Sequence, residues 1–479
     1  MAPSKRLTTC SALALAAALI STVPASAQVQ VQSLAAPDLF SAPAAETGLS
    51  ADLWKDASPG IVKEALPKLA AKPLSPAAVA LARRVLSTGA NAPAGIGDDP
   101  ELGATRALAL IALGEAKGAD AILDRAPGVA ASAQLSLAAA EAALITGADD
   151  KACKIGEALS VERSAPYWLR LRAFCQAISD QKGAAQLTFN LAAQQTKDAD
   201  YTRLMNALLA GTPAGAANLK NGINYALSRK LGLDVASAAA IATASPALKP
   251  AAKPAETPAD LTAAQASTLT ALRAAKGLAG FTDAAVAGLP AIAALARADT
   301  PLEDPVLLAR AALAAGDLAT AQTIRGKLTG DTVPGATTQD LALLDATLAA
   351  AEGRKDAQVL DGLVERGVQG GAKSPAQPAA LILAAFGAPM DREARARFAT
   401  FDPGKPVATA GRLAVLDDAA AAGRQGEAAL LALSIAADAG PAGPGPVDRA
   451  RLVRALLKAG LEADARAFAV EGLLALQVK

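Results

Sequence analysis

The stretch Ala309-Arg310-Ala311-Ala312-Leu313-Ala314-Ala315-Gly316-Asp317-Leu318-Ala319-Thr320-Ala321 decides the reading of the fold. Helix-forming residues run up to Gly316 and a second apolar run begins just after it; glycine is the residue that lets a helix end in a left-handed turn. The same glycine returns at positions 114, 147, 183 and 211, then at 280, 316, 353, 387, 423 and 460. Its spacings are 33, 36 and 28 in the first series and 36, 37, 34, 36 and 37 in the second, with 69 residues, or two periods, between Gly211 and Gly280. A period of about 35 with one helix on each side of a tight turn predicts an all-α, helical-hairpin solenoid in which neighbouring hairpins share an extended core.

Alignment on the glycine brings small residues into register. Alanine stands five residues later at 119, 152, 216, 285, 321, 428 and 465, and seven residues earlier at 107, 140, 309, 346 and 380. Positions where two helices cross closely admit only small side chains, because a larger one forces the backbones apart. Alanine fills 130 of 479 positions and only 13 residues are aromatic, so each helix buries little area by itself and a thin, shared core is expected.

On Ala309 and Gly316 to Ala321, and again on Gly460-Leu461-Glu462-Ala463-Asp464-Ala465, the units resemble tetratricopeptide-like repeats: a small residue, a turn glycine and a second-helix alanine. The pattern covers about residues 100–230 and 265–479. The chain also resembles alanine-rich exported proteins of Gram-negative bacteria. The resemblance implies a protein-interaction scaffold and no particular chemistry.

Residues 1–27 read as a secretory signal, with Lys5 and Arg6 in the basic region, an apolar run from Leu13 to Ile20, and a cleavage site after Ala27 in Ala25-Ser26-Ala27. Residues 28–50 are expected to form an extended tail. Two helical arrays follow, over 51–242 and 263–479. Between them, Pro246, Pro250, Pro254 and Pro258 mark 243–262 as a linker, since a proline at every fourth position bars a helix. Whether the arrays pack together is not legible at this level. Beyond the signal no uninterrupted apolar run reaches the ~18 residues of a membrane span, so a soluble, periplasmic or secreted product is expected.

Removal of the signal leaves 44 of the 46 basic residues against 45 acidic ones, a balance with no nucleic-acid footprint. The chain contains no histidine, which excludes Ser-His-Asp and Cys-His nucleophiles and histidine-ligated metals. Ser179-Asp180-Gln181-Lys182 fits Ser-x-x-Lys, but lacks the companion motifs of serine acyltransferases. No catalytic, cofactor or metal residues are assigned. Cys153 and Cys175 lie eleven residues on either side of Ser164. Antiparallel packing about that turn puts them at one height and predicts a disulfide.

The segment from Tyr167 to Arg229 holds all three tyrosines and five of the six asparagines. Trp168, Arg170, Arg203, Asn206, Lys220, Asn221, Asn224 and Tyr225 are the candidate partner-binding residues, with paired donors suited to an extended peptide or a carboxylate. Asn221, Asn224 and Ser228 share one helical face, expected to be exposed. The expected function is an exported scaffold or adaptor for a protein or peptide partner in envelope assembly. The alternative is a peptidoglycan-acting enzyme, or a regulatory subunit of one, using carboxylates alone.

Overall fold

A computed structural model describes residues 38–249, 254–328 and 334–478. The signal segment, the first ten residues of the expected tail and Pro250 lie outside them. The described residues contain 23 α-helices and no strand. In the first half these are α1 (Pro59–Ala71), α2 (Pro76–Ser87), α3 (Pro100–Ala112), α4 (Ala116–Leu123), α5 (Ala133–Thr146), α6 (Asp149–Ala158), α7 (Pro166–Ile178), α8 (Lys182–Gln195), α9 (Ala199–Ala210), α10 (Gly222–Lys230) and the short α11 (Ala238–Ile241). The second half has α12 (Leu261–Ala274), α13 (Gly277–Arg297), α14 (Pro305–Ala314), α15 (Leu318–Gly326), α16 (Thr338–Glu352), α17 (Ala357–Gly370), α18 (Ala376–Ala385) and α19 (Arg392–Phe398). It closes with α20 (Ala410–Ala421), α21 (Gln425–Ala439), α22 (Pro446–Lys458) and α23 (Glu462–Ala475).

Local chemistry sets the helix ends. Pro59, Pro76, Pro100, Pro166, Pro305 and Pro446 each open a helix, where the missing N–H costs nothing and the fixed φ suits the first turn. Eight of the ten glycines take positive φ at a bend or a helix end, from 68° at Gly211 to 97° at Gly387. At Gly147 and Gly353 the left-handed residue returns its own N–H to the last turn of α5 or α16, which a β-carbon would oppose. Gly183 and Gly280 instead lie inside α8 and α13. The bends there fall three residues earlier, at Asp180 (φ 59°) and Gly277 (φ 64°); a short polar side chain tolerates that conformation at Asp180.

The small positions are where helices meet. Ala107, Ala140, Ala309, Ala346 and Ala380 are completely buried, as are Ala119, Ala152, Ala285, Ala321, Ala428 and Ala465. Only Ala216, in the non-helical loop before α10, is exposed. Helix α3 packs on α1 and α5, α5 on α10, α14 on α16, and α16 on α18. The last hairpin then breaks sequence order: α18 packs on α22, and α20 and α21 pack on α22 as well.

The two halves share a core. Helix α21 packs on α1 and α2, and α23 packs on α2, so one apolar cluster includes Leu66, Leu81 and Leu110 together with Leu383, Leu430 and Leu456. Polar contacts repeat the pairing. Glu427 accepts from the Ser58 N–H (2.6 Å) ahead of α1, and Glu471 accepts from the Ala77 N–H (2.5 Å) at the start of α2. Asp438 accepts from Lys72 (2.6 Å) on one side and Arg412 (2.6 Å) on the other, which hold its carboxyl well below the usual carboxylate range. Glu471 also pairs with Arg449 at 2.5 Å, both side chains almost wholly buried.

The segment from Asp38 to Ser50 is not an extended tail. It turns repeatedly and buries Leu39 and Phe40. Arg106, itself 1% exposed, donates to the carbonyls of Leu39 (2.9 Å), Ala42 (3.1 Å), Leu86 (3.0 Å) and Thr88 (3.0 Å). Burial lowers that guanidinium's pKa to about 10, so it remains charged at neutral pH. One described helix, α13, is by length and composition apolar enough to cross a membrane: it has 21 residues, with a mean hydropathy of 1.6 over its most apolar 18-residue window. Asp283 and Pro290 interrupt its apolar run. Here Phe281, Ala285 and Ile292 are buried against neighbouring helices.

Candidate functional site

Cys153 on α6 and Cys175 on α7 form a disulfide with their Cα atoms 5.6 Å apart. A loop of this size contributes about 2–4 kcal/mol, and it ties α6 to the segment in which the candidate residues lie. Trp168 is buried in the core beside Leu171 and Tyr201. Arg170 pairs with Asp198 (3.2 Å) and lies over the Tyr201 ring, 5.3 Å from its centroid. Arg203 reaches Asp200 at 3.5 Å, Asn206 is half-buried, Lys220 is exposed, and Tyr225 lies under Arg229 at 4.9 Å.

The asparagine face does form, but it turns inward. Asn221 caps α10 by accepting from the Asn224 N–H (2.9 Å); Asn224, 1% exposed, donates to Asn218 Oδ1 (3.0 Å). Ser228 is fully buried, donates to the Asn224 carbonyl (2.8 Å) and accepts from the Asn218 N–H (2.9 Å). These groups are spent on one another and on the local backbone where the loop of 217–219 meets α10, so the Asn224 amide and the Ser228 hydroxyl are already occupied. The helical phase was legible; which side faced the protein was set by that loop.

Of the eight candidates, Arg170, Asn221 and Asn224 meet at one cavity of about 300 Å³, together with Glu141, Tyr167 and Tyr201. Glu141 was not singled out from the sequence. Its signal is that it is the one charged residue in α5, Ala133–Thr146. Its carboxylate accepts from the Tyr167 hydroxyl (2.9 Å) and from the Gly222 N–H (2.8 Å). Burial pushes the carboxyl above the ordinary carboxylate range, against the opposite pull of those two donors. The Tyr167 hydroxyl is pushed well above the usual tyrosine value, first by burial and then by the charge of Glu141.

A larger groove, about 470 Å³, opens where the two halves meet. Helix α2 contributes Ala77 and Ala80, α13 Leu278 and Thr282, the α14–α15 turn Leu313 and Leu318, and α23 Ala467, Val470 and Leu474. Its lining is mainly apolar, with small residues that leave depth for large side chains. Two charges reach it. Glu471 is spent on Arg449 and Ala77. Arg466 stands against the Gly353 turn, its nearest carboxylate Glu462 at 3.8 Å and its buried Nε without a hydrogen-bond partner among the described residues. At the equivalent turns, Arg83 donates to the Leu113 carbonyl (2.8 Å) and Arg229 to that of Leu144 (3.2 Å).

No group of three metal-ligating side chains occurs among the described residues. Comparison with protein-family models, curated proteins and solved structures returns no match. The fold and the two concavities therefore define the class: an all-helical, disulfide-bonded protein.

Proposed function

We propose that this chain is an exported helical-repeat scaffold of the cell envelope, and that the groove between α2, α13, the α14–α15 turn and α23 holds an apolar segment of a partner protein. The observation that carries the reading is the groove itself, apolar and assembled from both halves of the chain. A segment with large aliphatic residues fills the depth left by alanines, and an acidic side chain on it satisfies Arg466. The disulfide favours an oxidising compartment, in keeping with residues 1–27 as a secretory signal; among such compartments the periplasm suits an envelope role.

The test is photocrosslinking in the native envelope, with a benzophenone amino acid at Thr282 or Ala467 in the groove and at Leu187 on the outer surface of α8. Discrete adducts to one protein are expected from the groove positions only. The exposed Ala80 then serves as control: Ala80→Trp fills the groove without entering the core and is expected to reduce those adducts at least tenfold. Adducts from Leu187 alone, or adducts indifferent to Ala80→Trp, contradict the assignment. Peptidoglycan turnover by the purified protein, abolished by replacing one carboxylate, would favour the enzyme reading instead.

A further inference from the structure

Three glutamates perform the same structural task in this molecule. Glu141, Glu427 and Glu471 each project from an alanine-rich helix and accept from a backbone N–H at the start of another helix, at Gly222, Ser58 and Ala77 respectively. Removing a carboxylate from water is costly unless an opposite charge and hydrogen bonds compensate. Two of the three have that charge: Glu427 pairs with Arg424 at 3.1 Å and Glu471 with Arg449 at 2.5 Å. Glu141 has no cation within ion-pair distance among the described residues; its other oxygen takes the Tyr167 hydroxyl.

What stands beside Glu141 is space. The cavity of about 300 Å³ is lined by Leu108, Leu137 and Ile223 on the apolar side and by the rings of Tyr167 and Tyr201. The other charged group lining it, Arg170, is neutralised by Asp198 and lies against Tyr201. An unneutralised carboxylate, aromatic rings and an apolar wall together suit one kind of guest: a cation on a short hydrocarbon stem.

We propose that the cavity bounded by α3, α5, α7, α9 and α10 binds a primary ammonium group on an alkyl chain, with Glu141 as the counter-ion and Tyr167 and Tyr201 as the aromatic walls. The ammonium donates to the carboxylate's remaining lone pairs, and the methylene stem covers Leu137 and Ile223. A free alkylamine and a lysine side chain of a partner present this same chemistry. The site is separate from the groove, so either can fail without the other.

Calorimetric titration of the purified full-length protein with n-butylamine, n-butanol and an acetylated lysine amide tests the proposal. Both amines are expected to bind and the alcohol is not; binding by n-butylamine alone identifies a free amine as the guest, and stronger binding by the lysine amide identifies a side chain. Glu141→Gln is expected to weaken amine binding at least tenfold. Leu137→Trp, which fills the cavity without removing the carboxylate, is expected to do the same and serves if Glu141→Gln fails to fold. Equal binding of alcohol and amine, no amine binding, or retention by Leu137→Trp overturns the assignment.

Discussion

Replacing Arg449 by methionine is expected to lower the free energy of unfolding by about 3–5 kcal/mol, the cost of stranding one member of a buried ion pair. Methionine keeps much of the volume, so the loss reports charge and hydrogen bonding more than a cavity. The reason for its size is position. Glu471 holds Arg449 on one side and the Ala77 N–H on the other, and so links α22, α23 and α2 at the place where the two halves of the chain meet. Denaturant unfolding of the single variant and of Arg449→Met with Glu471→Leu makes the reading specific. The double variant is expected to recover part of the loss, because an apolar pair leaves no uncompensated charge, whereas the Ala77 N–H stays unsatisfied. A single-variant loss below about 1 kcal/mol would be typical of a surface pair and would remove this contact from the account.

Arg106→Met is expected to cost about 3 kcal/mol or more, since four carbonyl groups then lose a charged donor inside the protein. The effect is local in origin and wide in reach. That guanidinium holds the Leu39 and Ala42 carbonyls and lies 5.7 Å from the Phe40 ring centroid, adding to the backbone bonds from Leu39 N–H to Gly97 and from Ala90 N–H to Phe40. Hydrogen exchange is the discriminating measurement: protection is expected to fall across 38–50 and the end of α2 while α14 to α18 keep theirs. Uniform loss throughout, or no loss at 38–50, contradicts the role given to Arg106.

How much of this was legible depended on the range of the force involved. Helix ends and bends obey local sterics, so Gly114, Gly147, Gly316, Gly353, Gly423 and Gly460 announced themselves, as did the buried alanines around them. Gly183 and Gly280 misled by one turn because Asp180 and Gly277 could take the left-handed residue's place, and residue identity alone does not rank such neighbours. The disulfide was legible because a single turn relates Cys153 to Cys175. The junction of the halves was not, for its partners are hundreds of residues apart: nothing near Glu471 points to Ala77, and nothing near Lys72 points to Asp438.

The candidate site divides along the same line. Periodicity placed Asn221, Asn224 and Ser228 on one face, yet direction requires knowing what lies beside it, and the loop of 217–219 turned that face into an internal network. Glu141 carried a cue, a lone acid in an alanine-rich helix, that composition makes visible only once burial is suspected. The groove could not be anticipated, because its walls come from α2, α13, α14, α15 and α23 and exist only after both halves have packed.

The packing of the two halves on one another is tested by cutting the chain between them. A protease site inserted between Lys249 and Pro254 severs the connection between the halves while leaving the described helices intact. The two fragments are expected to elute together as one species from size exclusion under native conditions, with unchanged helicity, and to separate only in denaturant. Fragments that part in native buffer, each retaining its helices, would show that the two halves do not share a core.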